Sequence, residues 1–264
     1  MIAPSAIVTL TTDYGTADGY AGALKGRILT IAPRAQIHDV THEIAPHDVL
    51  QGAWCLRRAA PRFPPGTIHL AVVDPGVGSW RSGIVVETEH FLLVGPDNGV
   101  LSLAAHEDGV RRVIEIHEQT RHWRKSASFD GLTVFAPVAA HLAAGMALDA
   151  VGQDADDLVS LPEPRARRAG QVLEALVVLS DRFGNAITNV ERNQLEPGAI
   201  ERVLLPRGVE ARPCDHYAQL AGSGRVGAFW NGDGLLELAL FQESIALKLG
   251  LKPGDPVRVI LKAL

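Results

Sequence analysis

The sequence predicts two domains of different class: an α/β N-terminal domain with a mainly parallel sheet, and a smaller all-β, barrel-like C-terminal domain. Strand-like and helix-like stretches alternate through the first 162 residues, the pattern of a sheet with crossover helices. Residues 161–167 then combine two prolines with charged side chains, which disfavours regular structure. Beyond them, strand follows strand. We therefore expect domains at residues 1–162 and 169–264, joined by a short linker.

The elements of the N-terminal domain follow from apolar periodicity and turn residues. Residues 67–73 form a nearly continuous apolar run, typical of a strand buried on both faces of a parallel sheet. The other predicted strands cover residues 6–10, 36–40, 84–87 and 91–94. Helical spacing predicts helices at residues 20–31, 48–60 and 134–144, the last of which ends at Gly145.

The C-terminal domain shows short strands separated by glycine and proline turns such as Leu251-Lys252-Pro253-Gly254-Asp255. This spacing is typical of a small all-β barrel or sandwich. The predicted strands cover residues 171–179, 202–205, 225–230, 235–241 and 256–261.

Composition and charge exclude several classes of protein. The 264 residues are 47% hydrophobic and 21% charged, as in a packed globular protein, and the net charge of −5 argues against a nucleic-acid partner. Cys55 and Cys214 are far apart, which argues against a disulfide framework or a structural zinc site. No signal sequence and no apolar run of roughly 20 residues is present, so we expect a cytoplasmic protein without membrane contact.

An acidic loop follows the first predicted strand, in Thr11-Thr12-Asp13-Tyr14-Gly15-Thr16-Ala17-Asp18-Gly19-Tyr20. Ligands of open α/β sheets gather beyond the carboxyl ends of strands, where an Asp can accept both hydroxyls of a ribose diol. Alternatively, Asp18 caps the helix that begins near Tyr20, and Asp13 shapes a turn. The spacing does not fit a calcium loop, so we expect no metal here.

A second candidate segment, Asp74-Pro75-Gly76-Val77-Gly78-Ser79-Trp80-Arg81, directly follows the buried strand. A carboxylate and a guanidinium leave one strand end together, and glycines let the backbone approach a ligand closely. The alternative is a salt-bridged turn. A dinucleotide fingerprint is a poor match, because Arg81 stands where the third glycine belongs.

Two later segments carry polar side chains at turns. Asp97-Asn98-Gly99 is primarily the sequence pattern of a turn. In Asp181-Arg182-Phe183-Gly184-Asn185, Phe183 can stack on a base and Asn185 can bind its polar edge, although a plain hairpin turn looks similar. The closely spaced His38, His42 and His47 match no helical metal pair, and we interpret them as interior or surface histidines.

Taken together, these segments resemble the SAM (S-adenosyl-L-methionine) hydroxide adenosyltransferase family, the SAM-hydrolysing relatives of the fluorinase and chlorinase enzymes. The resemblance implies an N-terminal α/β domain, a C-terminal β domain, and a homotrimer with active sites between the N-terminal domain of one subunit and the C-terminal domain of its neighbour. The matching blocks, in the family's order, are Thr12-Asp13-Tyr14-Gly15 with Asp18-Gly19-Tyr20, Asp39-Val40-Thr41-His42, Asp74-Pro75-Gly76-Val77-Gly78, Gly95-Pro96-Asp97-Asn98-Gly99, Phe135-Ala136-Pro137 with Ala140-His141-Leu142-Ala143, and Asp181-Arg182-Phe183-Gly184-Asn185 with Thr188-Asn189.

The resemblance also implies roles for individual residues. It makes Asp13 a ribose-diol ligand, sets Phe183 and Asn185 at adenine, and sets Asp181 near the methionine end of SAM. Asp74 and Arg81 match two of the three residues with which hydrolytic members hold and polarise the attacking water. The further substrate-binding residues that it implies are Asp18, Tyr20 and Asn231.

This chain departs from the family's pattern at two places. The family's Phe-His-Gly-Arg-Asp reads Phe129-Asp130-Gly131-Leu132-Thr133 here, so Asp130 replaces the third water-holding residue, a histidine. A late Asn-Ser block reads Asn231-Gly232-Asp233-Gly234, so the hydroxyl expected at the amino-acid end of the substrate is missing. Asp233 or Glu243 could bind the methionine ammonium instead.

Asp130 changes the charge balance of the expected water site. If it approaches Asp74, like-charge repulsion raises the pKa of one carboxyl group unless Arg81 bridges both. A bridged cluster would be a structural ion network, whereas an unbridged carboxylate pair could act as a base. We favour the carboxylate pair.

The resemblance therefore implies hydrolysis of SAM to adenosine and L-methionine by in-line attack of water at the ribose C5′, with catalytic residues Asp74, Arg81 and Asp130. SAM is the substrate, and no cofactor or metal is expected. The alternatives are a SAM- or adenosine-binding sensor without turnover, a halide-using adenosyltransferase, and hydrolysis or phosphorolysis of another adenosine compound.

Overall fold

A computed structural model describes residues 3–117, 129–162 and 165–263 of the chain. Its contacts divide the chain into two compact units, Met1–Pro162 and Glu163–Leu264, which are described separately below. No helix in these described ranges is both long and apolar enough to cross a membrane.

The N-terminal unit is built on a mixed sheet, to which residues 3–117 and 129–162 contribute seven strands. The strands are β1 (Ile7–Thr12), β2 (Gln36–Thr41), β3 (Ile68–Val72), β4 (Gly83–Thr88), β5 (Leu92–Pro96), β6 (Val110–Ile116) and β7 (Gly152–Ala155). Their order across the sheet is β2-β1-β3-β5-β4-β6-β7. The first four are parallel, with Leu10 opposite Leu70 and Leu70 opposite Val94. The remaining strands pair antiparallel, starting from β5.

Helices cover both faces of this sheet, which explains why β3 is buried along its whole length. The helices are α1 (Tyr20–Ile31), α2 (Val49–Ala59), α3 (Ser102–Asp108) and α4 (Ala136–Ala143). One core contains Leu24 and Ile28 of α1 with residues of α4. The other contains Leu56 of α2 with Ala104 and Ala105 of α3. The predicted α/β class is confirmed.

The helix predicted at residues 134–144 begins differently from the expectation. A single π-helical turn, Gly131–Phe135, comes first, and the regular helix α4 starts only at Ala136. π-Helical turns are frequent at functional sites because they change the direction of side chains within a helix. Here the turn follows directly on Asp130.

The C-terminal unit is a closed barrel, in which seven strands from residues 165–263 form a ring. The strands of the unit are β8 (Arg167–Ala169), β9 (Val172–Ser180), β10 (Ala186–Glu191), β11 (Ile200–Leu204), β12 (Glu210–Pro213), β13 (Val226–Trp230), β14 (Leu235–Ala239) and β15 (Pro256–Leu261). The ring runs β10-β14-β13-β12-β11-β15-β9 and closes by pairing of β9 with β10, while β8 pairs only with β9. A short helix, α5 (Ile245–Leu249), follows β14. The predicted barrel is confirmed.

Candidate active site

Asp74 and Arg81 meet in the loop that joins β3 to β4. Nε of Arg81 donates to Oδ1 of Asp74 over 2.8 Å, and its Nη2 contacts Oδ2 of the same carboxylate. This two-point contact is the fork geometry that a guanidinium makes with a carboxylate. Both side chains are largely buried, with 6% of Asp74 and 11% of Arg81 exposed.

Asp130 joins this pair from the position directly before the π-helical turn. Nη2 of Arg81 donates to Oδ2 of Asp130 over 2.9 Å, so one guanidinium bridges both carboxylates. We call Asp74, Arg81 and Asp130 the Arg81 cluster. Its geometry is the bridged arrangement rather than the unbridged carboxylate pair that we favoured from the sequence. That expectation is corrected, because the guanidinium lies between the two negative charges.

Two supports hold the Arg81 cluster. The guanidinium lies over the ring of the buried Phe135, with 5.2 Å from Cζ to the ring centroid. Nδ2 of Asn98 donates to the carbonyl oxygen of Val73 over 2.8 Å, which fixes the chain directly before Asp74. The Asp97-Asn98-Gly99 segment is therefore a supporting turn, as its sequence indicates.

The acidic loop after β1 lies at the same carboxyl edge of the parallel strands as Asp74. Oδ2 of Asp13 accepts a hydrogen bond from the backbone N–H of His47 over 2.9 Å. Asp18 does not cap α1: the position before the helix is held by Gly19 at a φ of 74°, and no side chain caps the helix there. The alternative role of Asp18 as a helix cap is therefore wrong, and its side chain remains exposed.

An aromatic group lies beside this loop. The rings of Tyr14, Tyr20 and Phe129 pack edge to face, with centroids 5.2 Å apart for each tyrosine against Phe129 and 6.3 Å apart for the two tyrosines. Tyr20 is 50% exposed and offers the group's open face. Burial, followed by the charges of Asp13 and Asp74, raises the pKa of Tyr14 far above its ordinary value.

A buried histidine ties β1 to β2 behind the loop. Nδ1 of His42 lies 2.7 Å from Oγ1 of Thr12, and its Nε2 lies 3.1 Å from Oδ1 of Asp39. Burial acts to raise the pKa of Asp39, but hydrogen bonds from Lys25 and His42 hold it below its ordinary value. His42 is thus an interior histidine, and its carbonyl accepts a hydrogen bond from the N–H of Gly15 over 2.7 Å.

In the C-terminal unit, Asp181 shapes the turn between β9 and β10. Its Oδ1 accepts hydrogen bonds from the N–H groups of Phe183 and Asn185, over 2.9 and 2.8 Å. Nδ2 of Asn185 donates to Oδ2 of Asp181 and, over 2.9 Å, to Oε1 of the buried Glu237. The turn interpretation of this segment is therefore correct for Asp181, and within the described residues the amide oxygen of Asn185 accepts no hydrogen bond.

Phe183 projects from this turn and is 78% exposed, which is unusual for a phenylalanine. Oδ1 of Asn231 accepts from the N–H groups of Asp233 and Leu235, each over 3.0 Å. The buried Nδ2 of Asn231 makes no hydrogen bond within the described part of the chain. Phe183 and Asn231 thus offer a stacking face and a hydrogen-bond donor.

The sequence alone did not single out Glu237 and assigned no role to Tyr14, whereas His42 is the interior histidine that it predicted. Glu237 had a detectable signal, since it is a lone charge inside the apolar run Leu235-Leu236-Glu237-Leu238-Ala239. Tyr14 had none beyond its place next to Asp13, because only the fold turns its ring towards Phe129.

Known proteins resemble the chain along nearly its full length. The family models of the SAM hydroxide adenosyltransferase N-terminal and C-terminal domains match residues 8–152 and 175–258. A protein from Methanocaldococcus jannaschii named (R)-S-adenosyl-L-methionine hydrolase is 34% identical, with 96% of this chain and 95% of the relative covered. One of the same name from Salinispora tropica is 38% identical, with coverage of 98% and 99%.

A solved structure shares the fold. The crystal structure of an uncharacterized conserved protein from Thermotoga maritima matches with a TM-score of 0.88 at 33% identity, and covers 96% of this chain and 99% of that one. Both family domains occur in order on this chain. The chain therefore belongs to the SAM hydroxide adenosyltransferase family.

Proposed function

We propose that this protein hydrolyses SAM to adenosine and L-methionine by in-line attack of a water molecule on the ribose C5′. The observation that carries the proposal is the Arg81 cluster, which lies at the carboxyl end of β3 in a chain of this family. Substrates of open α/β sheets bind at this edge.

Hydrolysis of SAM at C5′ depends more on a correctly positioned water molecule than on a strong base. The sulfonium of SAM makes methionine a good leaving group, so placing water in line with the C5′–S bond supplies much of the acceleration, on the order of 7–11 kcal/mol. The carboxylate of Asp74 accepts a hydrogen bond from the water and takes its proton as the C–O bond forms. Arg81 stabilises the hydroxide-like charge on the oxygen, and Asp130 holds the guanidinium in place.

The charge of the cluster favours water over a halide as the nucleophile. Two carboxylates share one guanidinium, which leaves a net negative charge. A carboxylate and a halide about 4 Å apart repel each other by about 4 kcal/mol at an effective dielectric constant near 20. Water carries no such penalty.

Substrate binding is proposed for residues of both units. Asp13 accepts from the ribose diol, and the half-exposed Tyr20 packs against the sulfonium side of the substrate. Phe183 stacks on adenine while the amide oxygen of Asn185 accepts from its amino group. Asp18, Asp181 and Asn231 bind the remaining polar atoms of SAM, and no metal or cofactor takes part.

The proposal includes a cytoplasmic homotrimer, in which the C-terminal domain of a neighbouring subunit completes each site. Light scattering of the purified protein tests this assembly. A mass of one or two chains of 28.2 kDa would contradict the trimer.

A SAM-binding protein without turnover is the second candidate, because the bridged Arg81 cluster is also compatible with a structural ion network that takes no part in chemistry. Incubation of the purified protein with SAM in H₂¹⁸O separates the two. Hydrolysis at C5′ gives methionine and adenosine with the label in its 5′ oxygen, as read by mass spectrometry. Calorimetric binding of SAM without product supports the sensor, and product only with added chloride or fluoride supports the halide-using alternative.

A further inference from the structure

The hydroxyl of Tyr14 lies against the turn that carries Asp130. A Cβ atom added to Gly131 would lie only 2.0 Å from Oη of Tyr14 and 3.1 Å from its Cζ. Because Gly131 directly follows Asp130, the phenol oxygen is next to the chain at the Arg81 cluster. Tyr14 itself directly follows Asp13, the proposed ribose ligand. It therefore connects the two halves of the proposed reaction site.

Packing fixes the direction of this side chain. Its ring contacts Phe129 edge to face at 5.2 Å, and Phe129 directly precedes Asp130. Its backbone N–H donates to Oγ1 of Thr12 over 3.3 Å. The backbone hydrogen bond and the ring contact together keep the hydroxyl of Tyr14 beside Gly131. Within the described residues, no hydrogen bond of the hydroxyl itself contributes to this position.

Burial and the neighbouring carboxylates keep the hydroxyl of Tyr14 protonated. Burial has the largest effect on the pKa of this phenol, and the carboxylates of Asp13, Asp74 and Asp130 raise it further, against the opposing effect of Arg81. A neutral phenol is a hydrogen-bond donor. Within the described residues no acceptor takes a hydrogen bond from this hydroxyl.

We propose that the hydroxyl of Tyr14 is a further catalytic group, which donates a hydrogen bond to the attacking water at the Arg81 cluster. The inference rests on the proposed function. A water molecule has two lone pairs and two protons. A donor at one lone pair and a carboxylate acceptor at one proton leave the second lone pair directed at C5′.

The step balances without an additional reactant. The free lone pair of water forms the bond to C5′, and the electron pair of the C5′–S bond leaves with sulfur, which becomes the neutral thioether of methionine. The proton lost by the water passes to the carboxylate of Asp74 and then to solvent. Tyr14 keeps its own proton throughout, so its role is to orient the nucleophile.

The Arg81 cluster has no uncharged hydrogen-bond donor of its own. At the position where the resemblance implies a histidine, this chain has Asp130, which accepts from Arg81. The carboxylates of the cluster are acceptors only. Tyr14 supplies an uncharged donor at that place.

Tyr14→Phe tests the proposal, because it removes the hydroxyl and keeps the ring. We expect kcat for SAM hydrolysis to fall about 10- to 100-fold, the effect of one hydrogen bond to a charged centre. We expect KM to stay within about threefold and the melting temperature to be unchanged. Tyr217→Phe is the matched control: it removes a phenol that accepts from the N–H of Gln242 in the C-terminal unit, and should leave kcat unchanged.

A second variant keeps the hydroxyl but moves it. Gly131→Ala adds the Cβ that collides with Oη, so it should lower kcat about as much as Tyr14→Phe. If either Tyr14→Phe or Gly131→Ala hydrolyses SAM with the same kcat as the wild type, the proposed role of Tyr14 is wrong. The proposed hydrolysis of SAM would still stand. If wild-type protein releases no adenosine from SAM, the proposed function and this inference fall together.

Discussion

Arg81 and Asp130 are 49 positions apart, yet Nη2 of Arg81 donates to Oδ2 of Asp130 over 2.9 Å. The same guanidinium holds Asp74, so the β3–β4 loop and the π-helical turn are fastened at one point. Asp130, at the position where the resemblance implies a histidine, is thus a second anionic partner for Arg81. Any role of Arg81 in catalysis is therefore that of a guanidinium that already donates hydrogen bonds to both Asp74 and Asp130.

The fork of Arg81 is predicted to be essential for turnover. Arg81→Lys keeps the positive charge but cannot reach both Asp74 oxygens and Asp130 at once, since an ammonium is a point donor. We expect kcat for SAM hydrolysis to fall about 100-fold or more, with SAM affinity within a few-fold of wild type. Calorimetry and product release measure the two effects. Arg111→Lys, in a surface pair with Glu89, is the control, and equal kcat values for both variants would contradict the prediction.

Asp130 is predicted to act through its oxygen atoms. Asp130→Asn removes the negative charge but keeps one oxygen that can accept a hydrogen bond from Arg81. Asp130→Ala removes both the charge and the acceptor oxygen. We expect kcat to fall about 10-fold in the first variant and at least about 100-fold in the second. Steady-state hydrolysis of SAM gives the comparison. Wild-type turnover by the alanine variant would remove Asp130 from the catalytic residues.

Much of the fold could be predicted because its strands are apolar and bounded by turn residues. Helix α1 begins and ends at the predicted residues, and β3 lies within the predicted strand. The sequence analysis did not predict β6, β7, β8, β10 or β12. Of these, β7 and β12 are short, polar and partly exposed, so neither periodicity nor apolar content distinguishes them from loops. Hydrogen bonds to the adjacent strands stabilise them: β7 pairs with β6, and β12 pairs with β11 and β13.

The site was less predictable, since it depends on contacts between distant segments. The placement of polar residues at strand ends indicated Asp13, Asp74 and Arg81. The bridge to Asp130 was one of two arrangements that the sequence allowed, and the sequence could not decide between them, because the direction of the Asp130 side chain is set by a π-helical turn that has no sequence signature of its own. The role of Tyr14 could not be predicted either, because the position of its hydroxyl depends on the contact of its ring with the distant Phe129.

Phe183 is predicted to contribute to binding and not to stability. It is 78% exposed, so Phe183→Ala should change the free energy of unfolding by less than about 0.5 kcal/mol. Loss of stacking on adenine should weaken SAM binding by about 1–3 kcal/mol, which is about 5- to 150-fold. Leu247→Ala is the matched control, being 86% exposed in the same unit. If both variants bind SAM equally well in calorimetry, Phe183 does not contact the substrate.

Gly184 is predicted to be required by both its backbone and its neighbour. Its φ is +78°, and an added Cβ would lie 1.9 Å from Oγ of Ser244, whose side chain caps α5. Gly184→Ala should cost about 2–4 kcal/mol, from left-handed strain, a displaced cap and the steric clash. Gly170→Ala isolates the strain, because its φ is +62° and nothing lies within 4 Å. Urea unfolding compares the two, and equal costs would show that Ser244 moves away freely.

His69 is predicted to make the protein less stable in acid. It lies on β3 between the rings of Phe63 and Phe91, at 5.7 and 5.0 Å, and its Nδ1 is 2.7 Å from Oγ1 of Thr9. Its buried Nε2 has no hydrogen-bond partner within the described residues. Burial lowers the pKa of His69 to about 3. The folded protein therefore excludes a proton that the unfolded chain binds.

The direction of the pH effect follows from these two pKa values. Above pH about 6.5, the ordinary pKa of histidine, neither state binds the proton, and this group adds no pH dependence. Between pH about 6.5 and about 3 only the unfolded state binds it, so the free energy of unfolding falls as the pH falls, by up to about 1.4 kcal/mol per pH unit. Urea unfolding at pH 7, 6 and 5 measures this slope. The double variant His69→Phe with Thr9→Val replaces both partners by apolar groups and should lose the slope, whatever its stability at pH 7. Parallel pH profiles for the variant and the wild type would mean that other groups cause the acid sensitivity.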